Sequence, residues 1–249
     1  MVKRLFEWLY APVAGALLAA GSAVVCALVI AGPTLTVRRE LGRLGVRLML
    51  ASIGVPLSVR GREHLPPGAC VVVANHASYI DGLVLTAALP RRFTFVVQDG
   101  AASWPLIGLT LRRMGVIFVN RDSAHSSAQL TRQLMKRLHH GESLAIFAEG
   151  TFKHEPGLLP FKTGAFLMAA RTSTQVVPAG IRGTRRLYGG GRRLPRWSPV
   201  EIDIRPPLAA DGKDREAAAR LRDLVRAQVL ALCREPDLHL PQTAADADG

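Results

Sequence analysis

The chain opens on its longest apolar run: from Ala11 to Val37 no residue is charged. About 20 apolar residues suffice to cross the hydrocarbon of a bilayer, so the run is of membrane length. Lys3 and Arg4 precede it, and Trp8 and Tyr10 stand at its edge, where interfacial side chains anchor such helices. A signal peptide has a shorter apolar core, about 7–15 residues, so the run reads as a retained membrane segment. Pro33 interrupts it. From Val37 to about Ile53, Leu41, Leu44, Leu48 and Val55 recur at near-helical spacing while Arg38, Arg39, Arg43 and Arg47 fall on other faces. This pattern predicts a basic amphipathic helix of the kind that lies in a membrane interface. Joined at Pro33, the two helices form a hairpin dipping into one leaflet; a single span is the competing arrangement. The arginines after the run outnumber the basic residues before it, which puts the later part of the chain on the cytoplasmic face of the inner or plasma membrane.

From about residue 58 the pattern changes. Short β-branched runs at 70–74, 93–97, 116–119, 144–147, 176–181 and 200–204 predict buried strands, the fifth broken by Pro178. Helical stretches lie between several of them, at roughly 83–89, 104–114, 124–140 and 164–172, and 211–233 reads as an outer helix. The alternation predicts an α/β fold: a mainly parallel central sheet flanked by helices, preceded by the N-terminal membrane-associated helical hairpin. The domain division is 1–56 for the membrane segment, 57–235 for the α/β domain and 236–249 for a disordered tail.

Charge narrows the partners. The 32 basic against 19 acidic residues leave a formal net charge of +13, which suits nucleic acid, an anionic membrane surface or an anionic substrate. Only 6% of residues are aromatic, and no RNP-like motif, zinc-finger spacing or basic zipper is present. The charge therefore goes to lipid or phosphate, with no nucleic-acid partner. Cys26, Cys70 and Cys233 are far apart, odd in number and embedded in apolar patterns. They read as buried free thiols, and a reducing compartment fits.

Candidate chemistry sits where predicted strands end. In NHASYID, Asn75 to Asp81, His76 follows a buried strand, at the edge where α/β sheets place ligands. Asp81 lies five residues on, near the start of the next helix. A turn between them lets the carboxylate accept from one ring N–H, fix the tautomer and leave the other nitrogen as a base. Asn75 and Ser78 add groups that shape the loop. No G-x-S-x-G elbow and no cysteine in a polar loop accompanies the pair, so the base would act on a substrate hydroxyl. A zinc site needs three or more ligands; His64 is near, but no H-E-x-x-H or C-x-x-C accompanies it, and no metal is expected. In GVIFVNRD, Gly115 to Asp122, a strand delivers Arg121 to its C-terminal edge. In IFAEGTFKHEPGLLPFKTGAF, Ile146 to Phe166, Glu149, Gly150 and Thr151 begin a polar loop, and Lys153, His154 and Lys162 follow.

In this order and spacing the residues resemble the glycerolipid acyltransferases of the PlsC type, which include the 1-acylglycerol-3-phosphate acyltransferases. His76 and Asp81 match the family's H-x-x-x-x-D box; 115–121, 147–151 and 176–181 resemble its second, third and fourth blocks, with Ala148 in place of a proline. The likeness covers about 58–205. It implies transfer of a fatty acyl group from acyl-CoA or an acyl carrier protein, a co-substrate and not a cofactor, to a hydroxyl of a lysophospholipid presented by the membrane. His76 is implied as general base and Asp81 as its support. Arg121, Glu149, Gly150, Thr151 and Lys153 are implied on the substrate side, with Arg121 and Lys153 as cations for an anionic head group and Glu149 ordering the loop or meeting an acceptor hydroxyl. The arginine-rich second helix would lie against anionic head groups. Where phosphatidate-forming members usually carry arginine, this chain has Phe152. The preferred acceptor, 1-acyl-glycerol-3-phosphate giving phosphatidic acid, thus stands beside other lysophospholipids or an amino-acid-derived lysolipid. Further alternatives are a thioester or lipid hydrolase and a non-catalytic basic membrane-binding protein.

Overall fold

The computed structural model describes residues 2–119, 124–189 and 191–238. Two helices come first: α1, Val2–Ala31, and α2, Leu35–Ser52. The turn between them is held by Thr34, whose Oγ1 accepts the Val37 N–H at 3.3 Å, and by Arg38, whose Nε donates to the Gly32 carbonyl at 2.7 Å. The helices pack closely because small residues face large ones; a Cβ on Gly45 would lie 2.5 Å from a Val25 methyl.

The α/β domain comes after them: β1 (Leu57–Arg60), β2 (Cys70–Ala74), α3 (Asp81–Ala88), β3 (Phe93–Gln98), α4 (Pro105–Arg113), β4 (Ile117–Val119), α5 (Ala124–His139), β5 (Ser143–Phe147), α6 (Gly164–Arg171), β6 (Gln175–Arg182), α7 (Thr184–Tyr188), β7 (Val200–Ile204) and α8 (Arg215–Cys233). The sheet order is β1-β7-β6-β2-β5-β3-β4. Every pairing is parallel except β6 with β7. Alternate residues of β2 enter different cores: Cys70, Val72 and Ala74 pack with α2 and α3, and Val71 and Val73 pack with α5, α6 and α8. Both faces are covered, so the strand is apolar throughout rather than alternating. The three cysteines are buried thiols.

Several expectations are corrected. β1 is absent from the sequence pattern; its four residues, LSVR, alternate half-buried and exposed at the sheet edge and look like a loop locally. The five-residue α7 is too short to show a helical period. Pro178 does not break β6. Pairing with β7 starts one residue later, at Ala179, so the missing N–H of Pro178 costs no ladder bond there, and its carbonyl still accepts from Arg205 at 2.9 Å. The tail is ordered past 236: Leu158 and Asp237 bridge, and Arg226 donates to Asp237 at 2.6 Å. The remainder of the predicted tail, 239–249, lies outside the described residues.

The largest correction concerns α2. Two of its arginines, Arg39 and Arg47, turn toward the α/β domain. Arg39, 8% exposed, donates to the carbonyls of Met114 and Arg91 and to Thr94 Oγ1 at 2.6 Å, and lies 3.5 Å from Glu142. Arg47 donates to the Ala87 carbonyl at 2.8 Å, and Arg43 pairs with Glu40. Leu44 and Leu48 face outward, 44% and 71% exposed. The helix is amphipathic, but Arg39 and Arg47 serve the seam with the α/β domain while Leu44 and Leu48 face away from it.

Candidate active site

β6, β2 and β5 are neighbours, and their C-terminal ends converge on one corner. Asn75, 1% exposed, ties two of them: its Oδ1 accepts the Ile181 N–H at 2.7 Å and its Nδ2 donates to the Ile181 carbonyl at 3.1 Å. This pair of bonds continues the β2–β6 ladder through a side chain, so the chain leaves the sheet in a set direction. His76 comes next.

Asp81 organises the turn. It lies in the first turn of α3, where helix peptide dipoles favour a carboxylate. Its Oδ2 accepts from the backbone N–H of Ala77 at 2.6 Å, of Ser78 at 2.7 Å, and from His76 Nδ1 at 2.9 Å. With Nδ1 donating to the carboxylate, Nε2 carries the lone pair. The imidazole is flanked as well: it stacks on Phe147 at 4.2 Å and 15°, and Phe152 tilts against it at 4.6 Å. Tyr79, 61% exposed, meets the edge of Phe152 at 4.8 Å. Asp81 is fully buried and the His76 side chain is 18% exposed. The pair thus has a rigid inner half and a reachable outer nitrogen, the arrangement a general base requires.

Glu149, from the end of β5, holds the same turn from the other side. Its Oε1 accepts the His76 N–H at 2.6 Å and its Oε2 accepts the Leu159 N–H at 2.8 Å. Both oxygens are therefore engaged by main chain, and the residue is 4% exposed. This geometry suits the loop-ordering role expected of Glu149. Burial pushes its carboxyl up to about 7, against the two backbone bonds that favour the ion. Gly150 follows at φ +78°, a left-handed backbone conformation in which any other side chain would be strained. Thr151 and Lys153 are exposed in the loop beyond. Arg121 and Asp122 lie outside the described residues.

The sequence concealed the brace on this loop. Arg185 Nη1 donates to the carbonyls of Lys153 at 2.9 Å and His154 at 3.1 Å; its Nε donates to Glu235 Oε1 at 2.8 Å, and Glu235 Oε2 accepts the Gly157 N–H at 2.7 Å. Ser78 Oγ donates to the Tyr188 carbonyl. These partners are 31 to 110 positions apart, so no local spacing signals them. His64, weighed as a metal ligand, sits with Nδ1 2.9 Å from the Ile204 carbonyl.

The sequence model of the acyltransferase family matches residues 56–182, about half of the chain and all three strand ends of the corner. The chain belongs to the acyltransferase family. Within that family it is of the PlsC type. It is 30% identical over 196 residues to human 1-acyl-sn-glycerol-3-phosphate acyltransferase alpha, covering 76% of this chain and 69% of that protein. It is 29% identical to the 1-acyl-sn-glycerol-3-phosphate acyltransferase of Borreliella burgdorferi, covering 76% of each. It is also 33% identical to the lyso-ornithine lipid O-acyltransferase of Rhodobacter capsulatus, covering 65% of each. The crystal structure of PlsC, the 1-acyl-sn-glycerophosphate acyltransferase of Thermotoga maritima, superposes with a TM-score of 0.72 at 20% identity, over 92% of this chain and 97% of that one. The acyltransferase fold thus extends through the N-terminal hairpin. As a member of this family the protein is an O-acyltransferase acting on a lysolipid-class acceptor.

Proposed function

We propose that the protein transfers a fatty acyl group from acyl-CoA or acyl carrier protein to 1-acyl-glycerol-3-phosphate, forming phosphatidic acid. The observation that carries the chemistry is the 2.9 Å contact of His76 Nδ1 with a carboxylate anchored by two backbone N–H groups. His76 Nε2 takes the proton of the acceptor hydroxyl as its oxygen attacks the thioester carbonyl. Asp81 stabilises the imidazolium. The tetrahedral intermediate then collapses, the carbon–sulfur bond breaks, and the imidazolium proton passes to the leaving thiolate. The acyl carbon is neither oxidised nor reduced, and no cofactor or metal is needed. Arg121 and Lys153 are the proposed cations for the acceptor phosphate.

The acceptor arrives in the bilayer and the thioester from the aqueous side, which gives the apolar N-terminal helix a purpose: Glu7–Ala31 is long and apolar enough to cross a membrane. The membrane proposed is the inner or plasma membrane, with the α/β domain on its cytoplasmic face. The basic surface suits an anionic lipid surface.

His76→Ala tests the core of this reading. Acceptor-dependent release of free thiol should fall by roughly 10²–10⁴-fold, with folding and membrane binding unchanged. Turnover near wild type at matched expression would remove His76 as the base. Thiol release that does not depend on acceptor would indicate a hydrolase instead.

One observation favours a second acceptor class. Phe152 holds the place of a phosphate-binding arginine and packs on His76 and Tyr79, so it offers an aromatic wall where a cation is usual. The relative that acts on lyso-ornithine lipid makes an amino-acid-derived lysolipid a concrete candidate. A panel of lysolipid acceptors with one labelled thioester separates the two. If the wild type ignores 1-acyl-glycerol-3-phosphate and acylates a zwitterionic lysolipid, the phosphatidate assignment fails while acyl transfer stands.

A further inference from the structure

All three tryptophans of the chain are exposed: Trp8 by 79%, Trp104 by 56% and Trp197 by 41%. Tryptophan is usually well buried in soluble proteins and is enriched where a membrane meets water, its ring in lipid and its N–H in the polar zone. Only Trp8 lies in the hairpin. The other two lie beside it. Trp197 Nε1 donates to the Gly54 carbonyl, just past the end of α2, at 2.8 Å. Trp104 heads α4, which packs against α1 and whose Arg113 donates twice to the Ile30 carbonyl, at 2.6 and 3.1 Å.

Apolar exposure extends from these points. On α4, Leu106 and Leu109 share one face and are 46% and 42% exposed, while Gly108 and Thr110 turn inward. Leu194, 48% exposed, lies against Gly15 of α1, with Arg192, Arg193 and Arg196 exposed around it. The outward face of α1 carries its own stripe, with Val13, Leu17, Val24 and Leu28 at helical spacing and all exposed by 41% or more.

We propose that α4 and the 194–197 loop enter the lipid interface together with the hairpin, forming one surface for a bilayer rich in anionic phospholipid. The coupling is mechanical. The α/β domain holds α1 at its middle and near its C-terminal end, through Leu194 at Gly15 and Arg113 at Ile30, positions about 22 Å apart along the helix. Lipid that receives the outer face of α1 therefore also meets the surfaces clamped to it. The exposed arginines around Leu194 select anionic head groups over neutral ones. The inference rests on the reading that the hairpin enters the membrane, and its test separates the two.

The full-length variant Trp8→Phe/Trp197→Phe leaves Trp104 as sole reporter. Vesicles of phosphatidylethanolamine and phosphatidylglycerol should blue-shift its emission, and brominated lipid should quench it. In the otherwise wild-type chain, Leu106→Asp/Leu109→Asp should lower the vesicle partition coefficient by about tenfold or more, since two exposed leucines proposed to enter lipid are replaced by charges. Activity on a dispersed short-chain acceptor should stay unchanged, which leaves the catalytic reading untouched. Unshifted, unquenched Trp104 in vesicle-bound protein would overturn the proposal. So would wild-type partitioning of the double variant, or a double variant that alters only self-association in the absence of lipid, which would make the face a contact between copies. Vesicle binding retained by that variant would keep the membrane reading of the hairpin and defeat only this extension of it.

Discussion

The corner around His76 and the seam under α2 both turn charged side chains inward onto main chain, yet they do so at different ranges. At the corner, Asp81 reaches His76, Ala77 and Ser78, at most five positions away. At the seam, Arg39 reaches Arg91, Thr94 and Met114, 52 to 75 positions away. The first is a local turn that orients the His76 ring; the second fastens an amphipathic hairpin to the α/β domain. A short-range cluster of polar residues after a strand can be read as chemistry, whereas an arginine on a helix shows nothing of which surface it will meet.

The sharpest way to break this comparison is Asp81→Asn. An amide oxygen in the place of Oδ2 still accepts from Ala77, Ser78 and His76, but it carries no charge to stabilise the imidazolium. Turnover should drop by roughly 10²–10⁴-fold with the melting temperature nearly retained. Near wild-type turnover, measured as thiol release, would show that the base does not need the carboxylate's charge.

Glu149→Gln is next. It leaves one of two backbone N–H groups without an anionic acceptor, and kcat should fall by about tenfold, the scale of one lost buried hydrogen bond. Its pH signature is distinctive. The folded carboxyl is raised from 4.5 to about 7, so between those values the native state holds a proton that the unfolded chain has released. Its contribution to stability is therefore full below 4.5 and declines as pH rises to about 7. Wild-type melting temperature should fall relative to the glutamine variant across that window and run parallel above it. Parallel curves throughout would mean that the Glu149 carboxyl is not raised in the native state.

Arg39→Ala should act on the other region alone. It strips the carbonyls of Met114 and Arg91 of a shared donor and should cost about 1–3 kcal/mol, a drop of several degrees by calorimetry. Activity on a dispersed acceptor should persist in the folded fraction. A loss of kcat instead would couple the seam to the corner. Phe152→Ala should have the smallest effect: removal of the ring from His76 and Tyr79 is worth about 0.5–1.5 kcal/mol, a few-fold change read most clearly as altered acceptor preference.

The N-terminal apolar run, the six strands and the His76–Asp81 pair were legible in the chain because each rests on a short period or a local turn, and the PlsC-type likeness grew from the same blocks. Sequence spacing alone determined that a histidine with a nearby carboxylate would follow a buried strand. Tertiary structure alone decided that Glu149 faces main chain on both oxygens, that Arg185 and Glu235 brace the loop after it, that Pro178 sits inside a continuous strand, and that Arg39 and Arg47 of α2 face inward. The physical reason is common to all four. A buried polar group must find its partner, and where that partner lies far along the chain, only the packing of sheet and helices brings the two together.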